Sequence, residues 1–236
     1  MRSRSVIAAC VAVPTALLIM GAAPSGGSGT LPGRMAYTGG GSQLVTAQAA
    51  STGSTTGTVT WWDRRGGEWV AMGSAAARFG AKGLAEGATR KQGTNTTPTG
   101  LYNLPYAFGT EPAPVGTATP YRPVHQDSWW CQDNASQSYN RWTEPRPADC
   151  RAAESEHLVS YATQYAHAFV IGYNYDRPVR GRGAGIFLHV NGRGATAGCV
   201  SVPADAMRRI LRWADPERRP HIAIGTDSGA TAITRY

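Results

Sequence analysis

Short stretches of alternating apolar and polar residues, broken by Gly, Ser and Pro, run through most of this chain. They include "SQLVTAQA" at 42–49, "TGTVTWWDR" at 56–64, "EWVAMG" at 68–73 and "GLYNLPYAFG" at 100–109. Further along come "HAFVIGYNY" at 167–175, "AGIFLHV" at 184–190, "GCVSV" at 198–202 and "HIAIG" at 221–225. A repeat of two residues is the period of a strand, and each run is short and bounded by turn formers, so each predicts a β-strand. Helical periodicity is clear once, in "PADAMRRILRWAD" at 203–215. There Pro203 suits a first turn, Met207, Ile210, Leu211 and Ala214 recur on one face, and Asp215-Pro216 ends the run. Arg208, Arg209 and Arg212 fall on the opposite face and read as solvated. Many strands and few helices imply a mainly β domain, a sandwich or barrel-like pair of sheets with a few short helices. No internal repeat is visible.

The same alternation carries a prediction about chemistry. In "IFLHV" the aliphatic Ile186, Leu188 and Val190 share one face and leave Phe187 and His189 on the other; in "GCVSV", Val200 and Val202 leave Cys199 and Ser201 opposite. If both strands turn their aliphatic faces to one core, His189 and Cys199 project to the same side. The linking "NGRGATAG" is short and rich in glycine, so the strands can be neighbours and the backbone N–H groups of Gly198 and Cys199 can approach a carbonyl oxygen. An imidazole beside a thiol can take its proton and make it a nucleophile, which points to acyl transfer. Taken alone, His189 reads equally well as a buried structural histidine, and His125, His157, His167 and His221 are as eligible.

The two ends of the chain lack this pattern. The opening "MRSRSVIAACVAVPTALLIMG" sets Arg2 and Arg4 ahead of an apolar run and small residues, the layout of a secretory signal peptide over 1–23. Pro14 interrupts the run, which is short for a membrane span, so no stable span is expected in the mature chain. Residues 24–41 are mostly Gly, Ser, Ala and Pro and read as a flexible tether, with the folded domain over 42–236. Three cysteines remain after Cys10. An odd number in an oxidising compartment implies one bridge and one free thiol, and Cys131 and Cys150 flank a single loop-like segment, so they are the expected pair and Cys199 the free one. No Cys/His spacing suits zinc, so no metal or other cofactor is expected. The net charge of +8 suits a polyanionic setting such as a cell wall, and no nucleic-acid motif accompanies it.

"IFLHVNGRGATAGCVSV" resembles the active-site signature of the YkuD-type L,D-transpeptidase catalytic domain, in the branch with a short His-to-Cys segment and Thr-Ala-Gly-Cys. "RKQGTNTTPTGLYNLPYAFG" is similar to the family's Thr-Pro-x-Gly segment, "WWCQDNASQSYNRW" to its Trp/Asp/Tyr-Asn segment, and "SEHL" and "VIGYN" also fit, so that the likeness spans about 66–225. The resemblance implies a secreted acyltransferase of the bacterial envelope that rejoins peptidoglycan stem peptides through a Cys199 thioester. It makes Cys199 the nucleophile, His189 the base, and the Gly198 and Cys199 N–H groups the oxyanion donors. Thr196 then shapes the turn and, with Ser201 and Phe187 on the strand face of His189, is expected to meet substrate. Two residues depart from the commoner signature: Ala197 stands where a second histidine is usual, and Ser201 where Asn or Arg is usual. The rivals are a hydrolase of the same fold, an L,D-carboxypeptidase or amidase, and a catalytically silent wall-binding module. "TPTG" reads on its own as a turn leading into a strand, and Trp129, Trp130, Tyr139 and Trp142 as a cap stapled by the cysteine pair.

Overall fold

The computed structural model describes residues 30–229; the expected signal peptide and residues 24–29 of the expected tether lie outside them. Chain order begins with a short helix α1 (Leu31–Arg34) and the strands β1 (Gln43–Ala49), β2 (Thr56–Arg65), β3 (Glu68–Arg78), β4 (Leu84–Glu86), β5 (Thr97–Asn103) and β6 (Ala107–Gly109). Then come β7 (Tyr121–Pro123), β8 (Trp129–Cys131), β9 (Arg141–Thr143), β10 (Ser155–His157) and β11 (Ala168–Val170). β12 (Phe187–Val190), β13 (Val200–Val202), helix α2 (Ala204–Trp213) and β14 (His221–Thr226) complete the chain. Among the described residues, eleven strands join one mixed sheet in the order β4-β5-β14-β1-β2-β3-β13-β12-β11-β6-β7, and β10-β8-β9 form a second, small sheet. The mainly β architecture with few short helices is therefore the one the alternating pattern implies.

The large sheet wraps so that Val45 and Ala47 of β1, Val59 of β2, Leu188 and Val190 of β12, Val200 and Val202 of β13, and Ile222 and Ile224 of β14 share one core. Met207, Ile210 and Leu211 of α2 close it, each without exposed surface. Burying a side chain of that size contributes about 1.5–3 kcal/mol, so the amphipathic helix is held mainly by this face. Its arginines lie outward: Arg209 and Arg212 are exposed, and Arg209 pairs with Asp205 one turn back.

Part of the expected tether is packed. Leu31 and Met35 are buried against Leu44, Trp62, Trp69 and Ala223. The Gly/Ser-rich composition around them concealed two apolar anchors, which are enough to dock one helical turn. Among the described residues no helix is long and apolar enough to cross a membrane.

Candidate active site

β12 and β13 are adjacent and parallel, with Leu188 opposite Val200 and His189 opposite Ser201. In a parallel pair, facing residues point to the same side. The aliphatic set enters the α2 core, and Phe187 and Cys199 enter a second cluster with Phe108, Trp130, Trp142, Leu158 and Tyr165. His189 and Cys199 both line one cleft of about 710 Å³, within the size range of small-molecule sites. Its wall also carries Arg90, Gln92, Gln132, Glu156, Gln164, Tyr165 and Thr196.

The imidazole is fixed in one tautomer. His189 Nδ1 lies 2.7 Å from the Val190 carbonyl oxygen, which can only accept, so Nδ1 carries the proton and Nε2 holds the free lone pair. Tyr165 packs edge-on against the ring at 5.6 Å. Burial pushes the imidazole down to about 4, against the opposing pull of the Val190 carbonyl. Burial likewise pushes the Cys199 thiol up to about 12, with the Glu156 carboxylate adding to the rise and the Phe187 N–H and Arg90 opposing it. At neutral pH both partners are therefore uncharged. The thiol donates to the Gly185 carbonyl at 3.5 Å and accepts from the Phe187 N–H at 3.4 Å.

The turn before Cys199 is built from side-chain hydrogen bonds. Thr196 Oγ1 donates to the Cys199 carbonyl at 2.7 Å and accepts from the Gly198 N–H at 3.1 Å. Thr97 of β5 donates to the same carbonyl at 3.0 Å and accepts the Gly80 N–H at 2.8 Å. Backbone bonds from the Thr196 N–H to Phe79 and from the Ala81 N–H to the Thr196 carbonyl tie the loop to the end of β3. Gly198 has φ +145°, and a Cβ there would come within 2.8 Å of the Arg90 guanidinium. Glycine is required at this position on both counts.

Some residues expected at the substrate sit elsewhere. Ser201 is fully buried and its hydroxyl donates to Asn191 Oδ1 at 2.8 Å. Phe187 is also fully buried, 4.9 Å from the Trp130 ring and 5.1 Å from that of Phe108, so it supports the site from beneath. The Gly198 N–H is engaged by Thr196 and does not stand open for an oxyanion. Thr196 itself is half-buried at the cleft wall and shapes the turn.

Other site residues were not singled out from the sequence. Glu156 of β10 reaches into the cleft and accepts from Tyr165 Oη and Gln132 Nε2, both at 2.5 Å. Burial raises its pKa, while those two donors oppose the rise. Thr97 begins the "TPTG" segment, which lies inside a strand and not in a turn. The small sheet forms the expected aromatic cap: Trp130 is buried and donates to Asn140 Oδ1 at 2.9 Å. The Cys131 and Cys150 sulfurs lie at bonding distance with Cα atoms 6.2 Å apart, while Cys199 is free and buried. The other histidines have separate surroundings: His157 stacks on Trp129 at 4.3 Å, His167 is buried near the Pro112 carbonyl, and His221 meets the Arg219 carbonyl. Among the described residues no three His, Cys, Asp or Glu side chains gather to hold a metal ion.

No curated protein matches the chain. Among solved structures, that of Bdellovibrio bacteriovorus Bd1075 is similar at 17% identity and a TM-score of 0.39, over 78% of this chain and 48% of that one, so this chain spans about half of its length. The family model of the YkuD L,D-transpeptidase catalytic domain matches residues 34–226, most of the chain and the whole of the cleft, and the chain belongs to that family.

Proposed function

We propose that this protein is a cysteine acyltransferase of the bacterial cell envelope that acts on peptidoglycan stem peptides by L,D-transpeptidation. Family membership supports an L,D-transpeptidase-type activity on peptidoglycan. The observation that carries the finer reading is the placement of His189 on β12 and of Cys199 immediately before its parallel neighbour β13, both lining one cleft, with Nδ1 of the imidazole turned to the Val190 carbonyl.

In this reading, Cys199 Sγ attacks the carbonyl carbon of the donor's last peptide bond. His189 Nε2 accepts the thiol proton as the S–C bond forms. Because thiol and imidazole are both neutral at rest, proton transfer accompanies attack and no standing thiolate is needed. Collapse of the tetrahedral intermediate breaks the C–N bond, and the imidazolium returns its proton to the leaving amine. The thioester is then attacked by an acceptor amine, whose proton passes to His189, and the thiol is regenerated with that same proton. No cofactor is required. Export by a cleaved signal peptide and a Cys131–Cys150 disulfide complete the reading.

The test is to incubate the purified protein with defined tetrapeptide muropeptides and resolve product masses over time. Cross-linked dimers that vanish in Cys199→Ala are expected. Tripeptide alone at every acceptor concentration would make the enzyme an L,D-carboxypeptidase, and no consumption of donor would leave the wall-binding module.

A further inference from the structure

Arg90 follows β4 in a turn where its own N–H and that of Thr89 both bond the Glu86 carbonyl. The side chain turns inward and is 7% exposed. Its Nε donates to the Thr96 carbonyl at 2.7 Å and its Nη1 to the Arg182 carbonyl at 3.2 Å, and the guanidinium lies 5.8 Å from the Tyr173 ring. Among the described residues Arg90 forms no ion pair, and neither of those two hydrogen bonds uses its Nη2. Two carbonyl dipoles do not neutralise a full charge, and a buried guanidinium without an anion is costly. The cost is structured in its favour: Gly183 and Gly198, both at positive φ, flank the guanidinium so closely that a Cβ on either would collide with it. The group is held in a slot open to the cleft, one residue from the nucleophile.

We propose that Arg90 binds a carboxylate of the donor, the free terminal carboxylate of the residue that leaves when Cys199 is acylated. The inference rests on the acyl-transfer reading and deepens it. A terminal carboxylate lies one residue beyond the attacked carbonyl, and one residue spans ~3.8 Å. The Nη2 edge, set against Gly198, therefore lies beside the residue that precedes Cys199, where such a carboxylate would fall. The same geometry supplies a cation from β4 where Ser201, sealed beneath the sheet, cannot contact substrate. A guanidinium suits this task because its charge is permanent and its N–H groups are fixed in a plane.

The experiment compares a tetrapeptide donor with its C-terminal carboxamide. Wild-type protein is expected to favour the free acid by about tenfold or more in kcat/KM, the range for a hydrogen bond to a charged group. Arg90→Gln should bring the acid down to the level of the amide, and Arg90→Lys should restore part of the preference. If Arg90→Gln lowers both donors equally, Arg90 serves the fold or the oxyanion and the proposal fails. Because the acid-to-amide ratio is internal to each variant, a general loss of stability does not mimic the effect. Calorimetric binding to Cys199→Ala, with and without Arg90→Gln, reads recognition apart from turnover. A preference for the acid that disappears with Arg90 supports the site even if the wild type transfers nothing, in which case only the acyl-transfer reading falls. Equal affinity for acid and amide in Cys199→Ala overturns the site.

Discussion

Thr196 Oγ1 holds Cys199 in place: it donates to the Cys199 carbonyl at 2.7 Å while receiving the Gly198 N–H at 3.1 Å. One hydroxyl thus fixes the peptide unit before Gly198 and the one after Cys199, and Thr97 Oγ1 reinforces the second from β5. Thr196→Val keeps the shape and removes both hydrogen bonds. Each is worth about 1 kcal/mol in a fold, so thermal stability should fall modestly, while kcat/KM should drop by about 10- to 100-fold through misplacement of the thiol. Thr196→Ser should stay near wild type. A Thr196→Val enzyme with full activity would show that the turn is held by Thr97 alone.

The neutral state of His189 and Cys199 gives a pH signature. With the Cys199 thiol pushed up to about 12, little thiolate exists at pH 7, and iodoacetamide should alkylate Cys199 slower than a free cysteine by roughly two to three orders of magnitude. The rate should climb steadily with pH. With His189 held down to about 4, donor consumption should remain high through neutral pH and fall only as pH drops towards about 4. Stability follows the same group. Its pKa is lower in the folded state than the ordinary 6.5, so its contribution is complete above 6.5 and is lost as pH falls to about 4, a difference on the order of 3 kcal/mol. His189→Gln should flatten that acid loss in urea titrations while removing activity. Rapid alkylation at pH 6 would instead indicate a standing thiolate–imidazolium pair.

The strands that carry the pair were legible because a period of two assigns faces residue by residue. Once Ile186, Leu188, Val200 and Val202 are given to the core, Phe187, His189, Cys199 and Ser201 must share the other side. Depth is not encoded in that period, so the sequence did not distinguish His189 and Cys199, which reach the cleft, from Phe187 and Ser201, which lie beneath it. The three-residue strands β8, β9 and β10 are too short to show alternation at all. Arg90, Thr97 and Glu156 come to Cys199 from distant parts of the chain, and each stood in the sequence only inside a longer family-like segment, Arg90 and Thr97 in "RKQGTNTTPTGLYNLPYAFG" and Glu156 in "SEHL". Leu31 and Met35 were hidden by a composition that is otherwise that of a linker.

The Cys131 and Cys150 sulfurs lie at bonding distance in the cap that carries Trp130 and Glu156, and non-reducing peptide mapping should find them joined and Cys199 free. The loop they close is also held by Asp133, whose carboxylate accepts from Arg151 Nε at 2.7 Å, Arg151 Nη2 at 2.9 Å, and the Ala135 and Arg151 N–H groups. Replacing both cysteines by serine should cost about 2–4 kcal/mol. Activity should fall further than stability, because β10 pairs with β8 and positions Glu156 at the cleft. A mapped bridge involving Cys199 in active protein would remove it as nucleophile.

In the proposed mechanism, transfer and hydrolysis differ only in what reaches the thioester, since His189 would deprotonate an amine or a water equally well. A positioned amine gains an effective-concentration advantage that can amount to several kcal/mol, enough to outcompete solvent if a site for it exists. Ser201 cannot form that site: it has no exposed surface and its hydroxyl is committed to Asn191, so Ser201→Ala should leave the ratio of hydrolysis to transfer unchanged. Glu156 can. It lines the cleft, it is close enough to Cys199 to raise the thiol's pKa, and its own hydrogen bonds come from the neutral Tyr165 and Gln132. An arriving ammonium would find there a carboxylate with no cation of its own. Glu156→Gln should therefore raise the ratio of tripeptide to cross-linked dimer about tenfold while donor consumption changes by only a few-fold, and should speed alkylation of Cys199 at fixed pH because a charge opposing the thiolate is gone. The measurement is a mass-resolved time course across acceptor concentrations, paired with iodoacetamide kinetics. Faster alkylation with an unmoved product ratio would keep Glu156 as an electrostatic neighbour of the thiol and remove it from the acceptor site.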